Sequence, residues 1–436
     1  MSETLRLLLA LLDIAPEMKR LLKAEWPTFR DELLVLAGRL DHEDDTAAIG
    51  RELDALLERV LAEAPPEGQK LVRRAMQEVF SAEQNEPVMR RADPAQKVAE
   101  AAADEIGGVV VVPVFYGTDR ARGDEAPKSY YTGKRGLPTF GIAHVSVPIK
   151  DRSLGELTGP NWWRLQFAPN PARHVILVDV HSLGRDDFVK GLRESLASAD
   201  ERDALIFVHG YNVSFEDAAR RAAQICVDLK FRGRALMYSW ASAADPKRYT
   251  VDEDTIDWSR KYFEDFFQLA LAEIGARDVH VVAHSMGNRA LMNTLERLDL
   301  NKLPSGAARL CQVIFAAPDI GRDRFVQLAE AFRGHAQRCT LYASSRDVAL
   351  KVSRAVHGYP RAGEAGTSLV VVDGVDTIDA SRVDTSLVGL HHSYFGSKRS
   401  VLGDIFDLIT QKLEPSKRFE LEVSVDAGKK YWIYRA

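Results

Sequence analysis

Cysteine is scarce: the chain has three, Cys226, Cys311 and Cys339, an odd number set in apolar helix or strand contexts. That fits reduced core thiols better than a disulfide framework, and a cytoplasmic protein is expected. Long apolar runs are also missing. Leu7 to Leu12, with Glu3 before it and Asp13 after it, lacks a small-residue cleavage pattern and reads as helix rather than signal. Nothing approaches the ~20 apolar residues that a transmembrane helix needs. Charge of one sign is absent too: 58 basic side chains face 63 acidic ones, net -5, with no basic stripe to match a row of phosphates. Nucleic acid is therefore not an expected partner. No His-Glu-x-x-His, Cys-x-x-Cys or phosphate-binding glycine loop occurs, so neither a metal nor a cofactor is expected. Asp373, Asp376 and Asp379 lack the alternate-position ligands of a calcium loop and are expected in turns.

What is present is enough apolar material, 46% of residues, to build a sizeable core. Residues 1–82 carry helical periodicity, as in Leu53, Leu56, Leu57, Val60 and Leu61, interrupted by Pro16, Pro27 and Pro65-Pro66. A small all-α module is expected there, with packing, docking of a protein partner or self-association as its role. Residues 83–107 read as a partly helical linker. Beyond it, strand-like runs occur at 109–116, 142–149, 175–180, 205–208, 235–240, 279–283, 313–317, 339–343 and 369–372. From residue 205 onward they alternate with helical stretches at 215–229, 256–274, 287–298, 324–332, 348–356 and 399–413. That order predicts an α/β domain over 108–413: a mostly parallel central sheet with helices on both faces, antiparallel in its first part. Residues 414–436 alternate around Asp426-Ala427-Gly428 and predict a C-terminal β-hairpin.

The strongest chemical signal is Val279-His280-Val281-Val282-Ala283-His284-Ser285-Met286-Gly287-Asn288, a buried strand turning through a serine into a helix. Small residues two before and two after the serine allow the tight bend of a nucleophile elbow; Ala283 stands where glycine is usual. A serine hydroxyl needs a base and an oxyanion site to react. The run Leu205 to Val208 leads into His209-Gly210-Tyr211-Asn212, a loop suited to an oxyanion donor, so the N–H groups of Tyr211 and Met286 are the expected oxyanion hole. Gly210 permits close approach, and His209 is expected to brace the loop. For the acid, Asp347 follows one strand and Asp319 the strand before it; Asp347 is preferred and Asp319 is the alternative. For the base, His391 and His392 are the only histidines beyond residue 357, with His392 preferred and His391 the fallback. Trp162 and Trp163 could line an acyl pocket or serve packing.

Together, Val112-Pro113-Val114-Phe115-Tyr116-Gly117-Thr118-Asp119-Arg120, His209-Gly210-Tyr211-Asn212, Ala283 to Asn288, Ala317-Pro318-Asp319 and His392-Ser393-Tyr394 resemble the bacterial α/β-hydrolases of the esterase/lipase superfamily catalogued as a family of unknown function. The resemblance spans about residues 108–413. It implies an α/β-hydrolase fold and a serine-hydrolase site, with Ser285 matching the nucleophile and His392 the histidine, but no substrate. The expectation is a serine esterase with the triad Ser285, Asp347 and His392, acting on a small-molecule ester or acyl substrate. A peptidase, thioesterase or acyltransferase on the same fold, or a non-catalytic scaffold, are the alternatives.

Overall fold

A computed structural model describes residues 105–106, 108–149, 174–245, 248–383, 401–426 and 428–435. The expected helical module at 1–82, nearly all of the 83–107 linker, Trp162 and Trp163, and both His391 and His392 lie outside the described residues. All described residues belong to one compact unit, made of 92–157 and 171–436.

The strands are β1 (Glu105–Ile106), β2 (Val109–Arg122), β3 (Tyr131–Pro148), β4 (Ile176–Leu183), β5 (Asp203–Val208), β6 (Arg234–Ser239), β7 (Asp278–His284), β8 (Arg309–Ala316), β9 (Arg338–Ala343), β10 (Asp376–Asp379), β11 (Leu421–Asp426) and β12 (Lys429–Tyr434). They form one sheet in the order β11-β12-β10-β9-β8-β7-β5-β6-β2-β3-β4, with β1 added to β2. Neighbouring pairs from β2 through β12 are parallel; β2–β3, β3–β4 and β11–β12 are antiparallel. The helices are α1 (Arg185–Ala197), α2 (Phe215–Asp228), α3 (Tyr249–Ala272), α4 (Gly287–Arg297), α5 (Arg322–Phe332), α6 (Val348–His357) and α7 (Val401–Thr410).

Period-two alternation in the strands sorts the core into two layers. Ile206, Val208, Val281, Ala283, Val313 and Phe315 pack on one face with Phe188 and Leu192 of α1, Phe263 and Phe267 of α3, Leu291 of α4 and Phe325 of α5. Leu205, Phe207, Val282 and Ile314 face the other way, onto Phe215 and Ala222 of α2 and Ile405 and Leu408 of α7. Each large apolar side chain so enclosed contributes roughly 1.5–3 kcal/mol relative to exposure. Gly117 on β2 has a packing reason: a Cβ there would lie 2.5 Å from the Phe266 ring.

Two expectations are corrected. Residues 369–372 are not a strand; Leu369 and Val370 are buried in irregular chain after a 3-10 turn at Gly366–Ser368. The strand is β10, bounded by Asp376 and Asp379, which are therefore not turn residues; only Asp373 sits in a turn. A four-residue strand with acids at both ends has no apolar signature of its own, and its pairing with β9 and β12 defines it. Helix α1 comes in addition to the expected helices; Phe188, Leu192 and Leu196 recur every fourth residue on its buried side. The C-terminal hairpin forms as expected and extends the main sheet through β12. All three cysteines are free and buried, and burial pushes the Cys226 and Cys339 thiols up to about 12.

Candidate active site

Adjacent parallel strands β5 and β7 pair up to Val208↔Ala283. The helices that follow them diverge: α2 lies in one core layer and α4 in the other. Such a divergence opens a crevice at the carboxyl ends of the strands, where open α/β sheets bind ligands. Ser285 and Gly210 stand at that place.

Ser285 joins β7 to α4 with φ +49, a left-handed conformation that a non-glycine residue adopts at a cost of roughly 1–3 kcal/mol. Its surroundings hold it there. Its N–H donates to the Ala316 carbonyl at 3.0 Å, and its carbonyl accepts from the Asp319 N–H at 3.1 Å. The Asn288 side-chain amide donates to the carbonyls of Ala283, Ser285 and Ala316. Two glycines let the neighbouring segments close in. A Cβ on Gly210 would lie 2.7 Å from His284 Nδ1 and 2.9 Å from Ser285 Cβ; one on Gly287 would lie 2.4 Å from the His209 carbonyl oxygen. The His209–Asn212 loop therefore touches the serine turn directly. Met286, next in the chain, opens α4, where the first helical amides have no partner within the helix.

The loop is fastened from below. His209 is buried, stacks on Trp240 at 5.1 Å, and directs Nδ1 to the Gly210 carbonyl at 2.8 Å. Burial, with Arg120 adding to it, holds its pKa well below the usual imidazole range, so it is neutral. Arg120, wholly enclosed, donates to Ser239 Oγ (2.9 Å), the Ser242 carbonyl (2.9 Å), the Val213 carbonyl (2.7 Å) and the Thr132 carbonyl (3.2 Å), and its guanidinium lies 3.4 Å from His209 Nε2. Asp252 of α3 accepts from the Asn212 N–H, the Ala243 N–H and Ser242 Oγ. Tyr211 packs edge-on against Tyr249 at 5.2 Å.

The two candidate acids have different surroundings. Asp319, after β8, is buried; Oδ1 accepts from Ser353 Oγ (2.6 Å) and Arg361 Nε (2.7 Å), and Oδ2 from Tyr249 OH (2.5 Å). Burial alone raises its pKa, but Arg361 and Arg289, with Ser353 and Tyr249, outweigh that and hold the carboxyl below the ordinary carboxylate range. Asp347, after β9, caps α6 by accepting the Leu350 N–H at 3.0 Å through Oδ1. Burial holds its pKa above the ordinary value. Strand β10 ends at the same sheet edge, with Asp379 paired to Ala343, and the chain leads from there toward the segment that carries His391 and His392. His357 is not placed as a base: Nδ1 faces the Ser353 carbonyl and Nε2 lies 2.6 Å from Glu253.

A family model for alpha/beta hydrolases of unknown function, DUF900, matches residues 185–412, just over half of the chain. The chain belongs to this family. No curated protein matches it. The DUF900 match takes in Ser285, Gly210, both candidate acids and the histidine pair, but begins after β2 and so leaves out Arg120. Among the described residues, no helix is long and apolar enough to cross a membrane.

Within this hydrolase, three contributors went unassigned in the sequence. Arg120 was visible only as part of the Gly117-Thr118-Asp119-Arg120 run, and nothing in its neighbourhood announces a buried hub. Asp252 and Arg361 carry no local motif; a helix-start aspartate and a loop arginine are usual surface residues. Their roles come from tertiary contacts: Arg361 reaches Asp319, 42 positions away, and Asp252 joins the Asn212 N–H, 40 positions away, to the nearby Ser242 and Ala243.

Proposed function

We propose that the protein is a serine hydrolase that cleaves carboxylic esters through an acyl-enzyme. One observation carries this: Ser285 is held at φ +49 on the β7–α4 turn, in contact with a glycine loop at the carboxyl ends of the strands. Strain of this kind is kept where an exposed hydroxyl must be aimed.

In this mechanism Ser285 Oγ attacks the ester carbonyl carbon while His392 takes its proton. The Met286 and Tyr211 N–H groups receive the oxyanion. Collapse breaks the carbon–oxygen bond of the leaving alcohol, which takes the proton from His392. Water, deprotonated by the same imidazole, then attacks the acyl-enzyme, releasing the acid and restoring Ser285. Asp347 orients the imidazole. The choice of Asp347 over Asp319 is supported by their partners: a guanidinium, a phenol and a hydroxyl occupy Asp319, whereas Asp347 accepts from the backbone amides of Leu350 and Ala349 in the helix it caps. Residues 1–82 are proposed as a docking or self-association module.

A fluorophosphonate probe tests the nucleophile: wild type is expected to label, and Ser285→Ala and His392→Ala are expected not to. Labelling of Ser285→Ala at the wild-type rate removes Ser285 from the mechanism. Labelling lost in His391→Ala but kept in His392→Ala exchanges the two histidines.

A further inference from the structure

At the far end of the sheet, β3 and β4 bring His144, Asp179 and His181 together on one face. His144 lies opposite Asp179 in the antiparallel register, and His181 is two residues further along β4, so all three side chains project the same way. The register shifts next to this pair: His144↔Asp179 is followed by Val145↔Leu177, which leaves Val178 as an extra residue. Such bulges re-aim side chains. His144 Nδ1 lies 2.6 Å and His181 Nε2 3.5 Å from the same oxygen, Asp179 Oδ1. The two rings stand 6.2 Å apart at 67°, not stacked. One ligand atom from each residue falls within 4.8 Å of the other two. The side chains are 16%, 33% and 35% exposed for His144, Asp179 and His181, which leaves an approach from solvent.

From this geometry we infer that His144, Asp179 and His181 form a binding site for a divalent transition-metal ion of the zinc type. Two imidazoles and a carboxylate are ligands that zinc takes, with water in the fourth position. Tetrahedral coordination at about 2.0–2.1 Å sets ligand atoms roughly 3.3 Å apart. The His181–Asp179 side, at 3.5 Å, already fits; the His144–Asp179 side opens by less than about 1 Å, and the His144–His181 side, within 4.8 Å, closes toward the same spacing. The proton that His144 Nδ1 shares with Asp179 leaves that nitrogen, to Nε2 or to solvent, when Nδ1 takes the metal. The site is separate from Ser285. Strand β4 is five strands from β7, or about 24 Å at ~4.8 Å per strand. Its role follows from position: β4 ends the sheet among the described residues, and a metal ion shared with β3 fastens that exposed edge.

The test uses the full chain without an affinity tag, stripped with chelator and titrated with zinc chloride by calorimetry. The expected result is uptake at one site that His144→Ala, Asp179→Asn and His181→Ala each weaken at least about tenfold. Cobalt loading is expected to give the strong visible bands of four-coordinate Co(II), lost in His181→Ala. If His144→Ala fails to fold, His181→Gln on the half-exposed edge strand carries the comparison, with circular dichroism as the fold check. No uptake by wild type, or equal uptake by wild type and folded His181 variants, overturns the site. Serine labelling plays no part in these readouts, so the hydrolase mechanism and the metal site fail independently.

Discussion

The two edges of the central sheet both hold buried charge, but in different company. At the amino ends of the strands, Asp278 accepts from Arg309 and Lys412, and Asp203 from Arg277; these cations are 70%, 34% and 49% exposed. Water reaches the cation of each of these three pairs, so each is worth little on its own. At the carboxyl ends, Arg120 and the Arg361–Asp319 pair are enclosed on both sides, and their bonds run to backbone carbonyls and hydroxyls of the loops around Ser285. An enclosed ion contributes through what it positions, because its desolvation cancels much of its attraction. The amino edge is a solvated boundary; the carboxyl edge is a scaffold for a strained serine.

The contrast can be broken by substitution. The largest effect is expected for Asp347→Asn, which is predicted to lower kcat on an activated ester by on the order of 10⁴, as loss of an orienting carboxylate does, with little change in urea midpoint. A larger kcat loss in Asp319→Asn would reverse the assignment of the acid. Next come the enclosed ions: Arg120→Met and Asp319→Asn are each expected to cost about 3–5 kcal/mol in urea unfolding, because their former partners stay buried. The Asp319 contribution depends on pH. Its carboxyl titrates lower folded than unfolded, so the stabilisation is complete above the ordinary carboxylate pKa and is lost as pH falls through the folded value. Wild type and Asp319→Asn should therefore converge in stability in strong acid, and a gap that widens there would contradict the ion-pair account.

Smaller effects sharpen the comparison. Gly210→Ala forces a Cβ against His284 and Ser285 and is expected to reduce kcat about 10²-fold, the scale of an ångström of misplacement. Gly321→Ala, with nothing within 4 Å, should leave kcat unchanged. The smallest change is expected at the amino edge: Arg309→Met should cost less than about 1 kcal/mol, since Lys412 still serves Asp278. A loss comparable to Arg120→Met would erase the distinction between the edges.

The parallel sheet was legible because the runs at 205–208, 279–283 and 313–317 are short, apolar and β-branched, and separated by helix-length amphipathic stretches. Ser285 was legible because an elbow needs small residues at fixed offsets within ten positions. β10 was not, because its four residues carry two acids and their strand character comes from β9 and β12 on either side. Arg120 was not, because its four acceptors lie on three other segments, around Thr132, Val213 and Ser239 to Ser242.

The sequence by itself therefore determined the alternation of strands and helices from residue 205 to 357, the bend at Ser285 and the absence of any contiguous metal or nucleotide motif, since each depends on periodicity or on spacing along the chain. Only the tertiary structure decided that Gly210 lies against Ser285, that Arg120 and Asp252 clamp its loop, and that His144 meets Asp179 and His181 across two strands. Register and layer packing set those distances, and neither is written in any short stretch of residues.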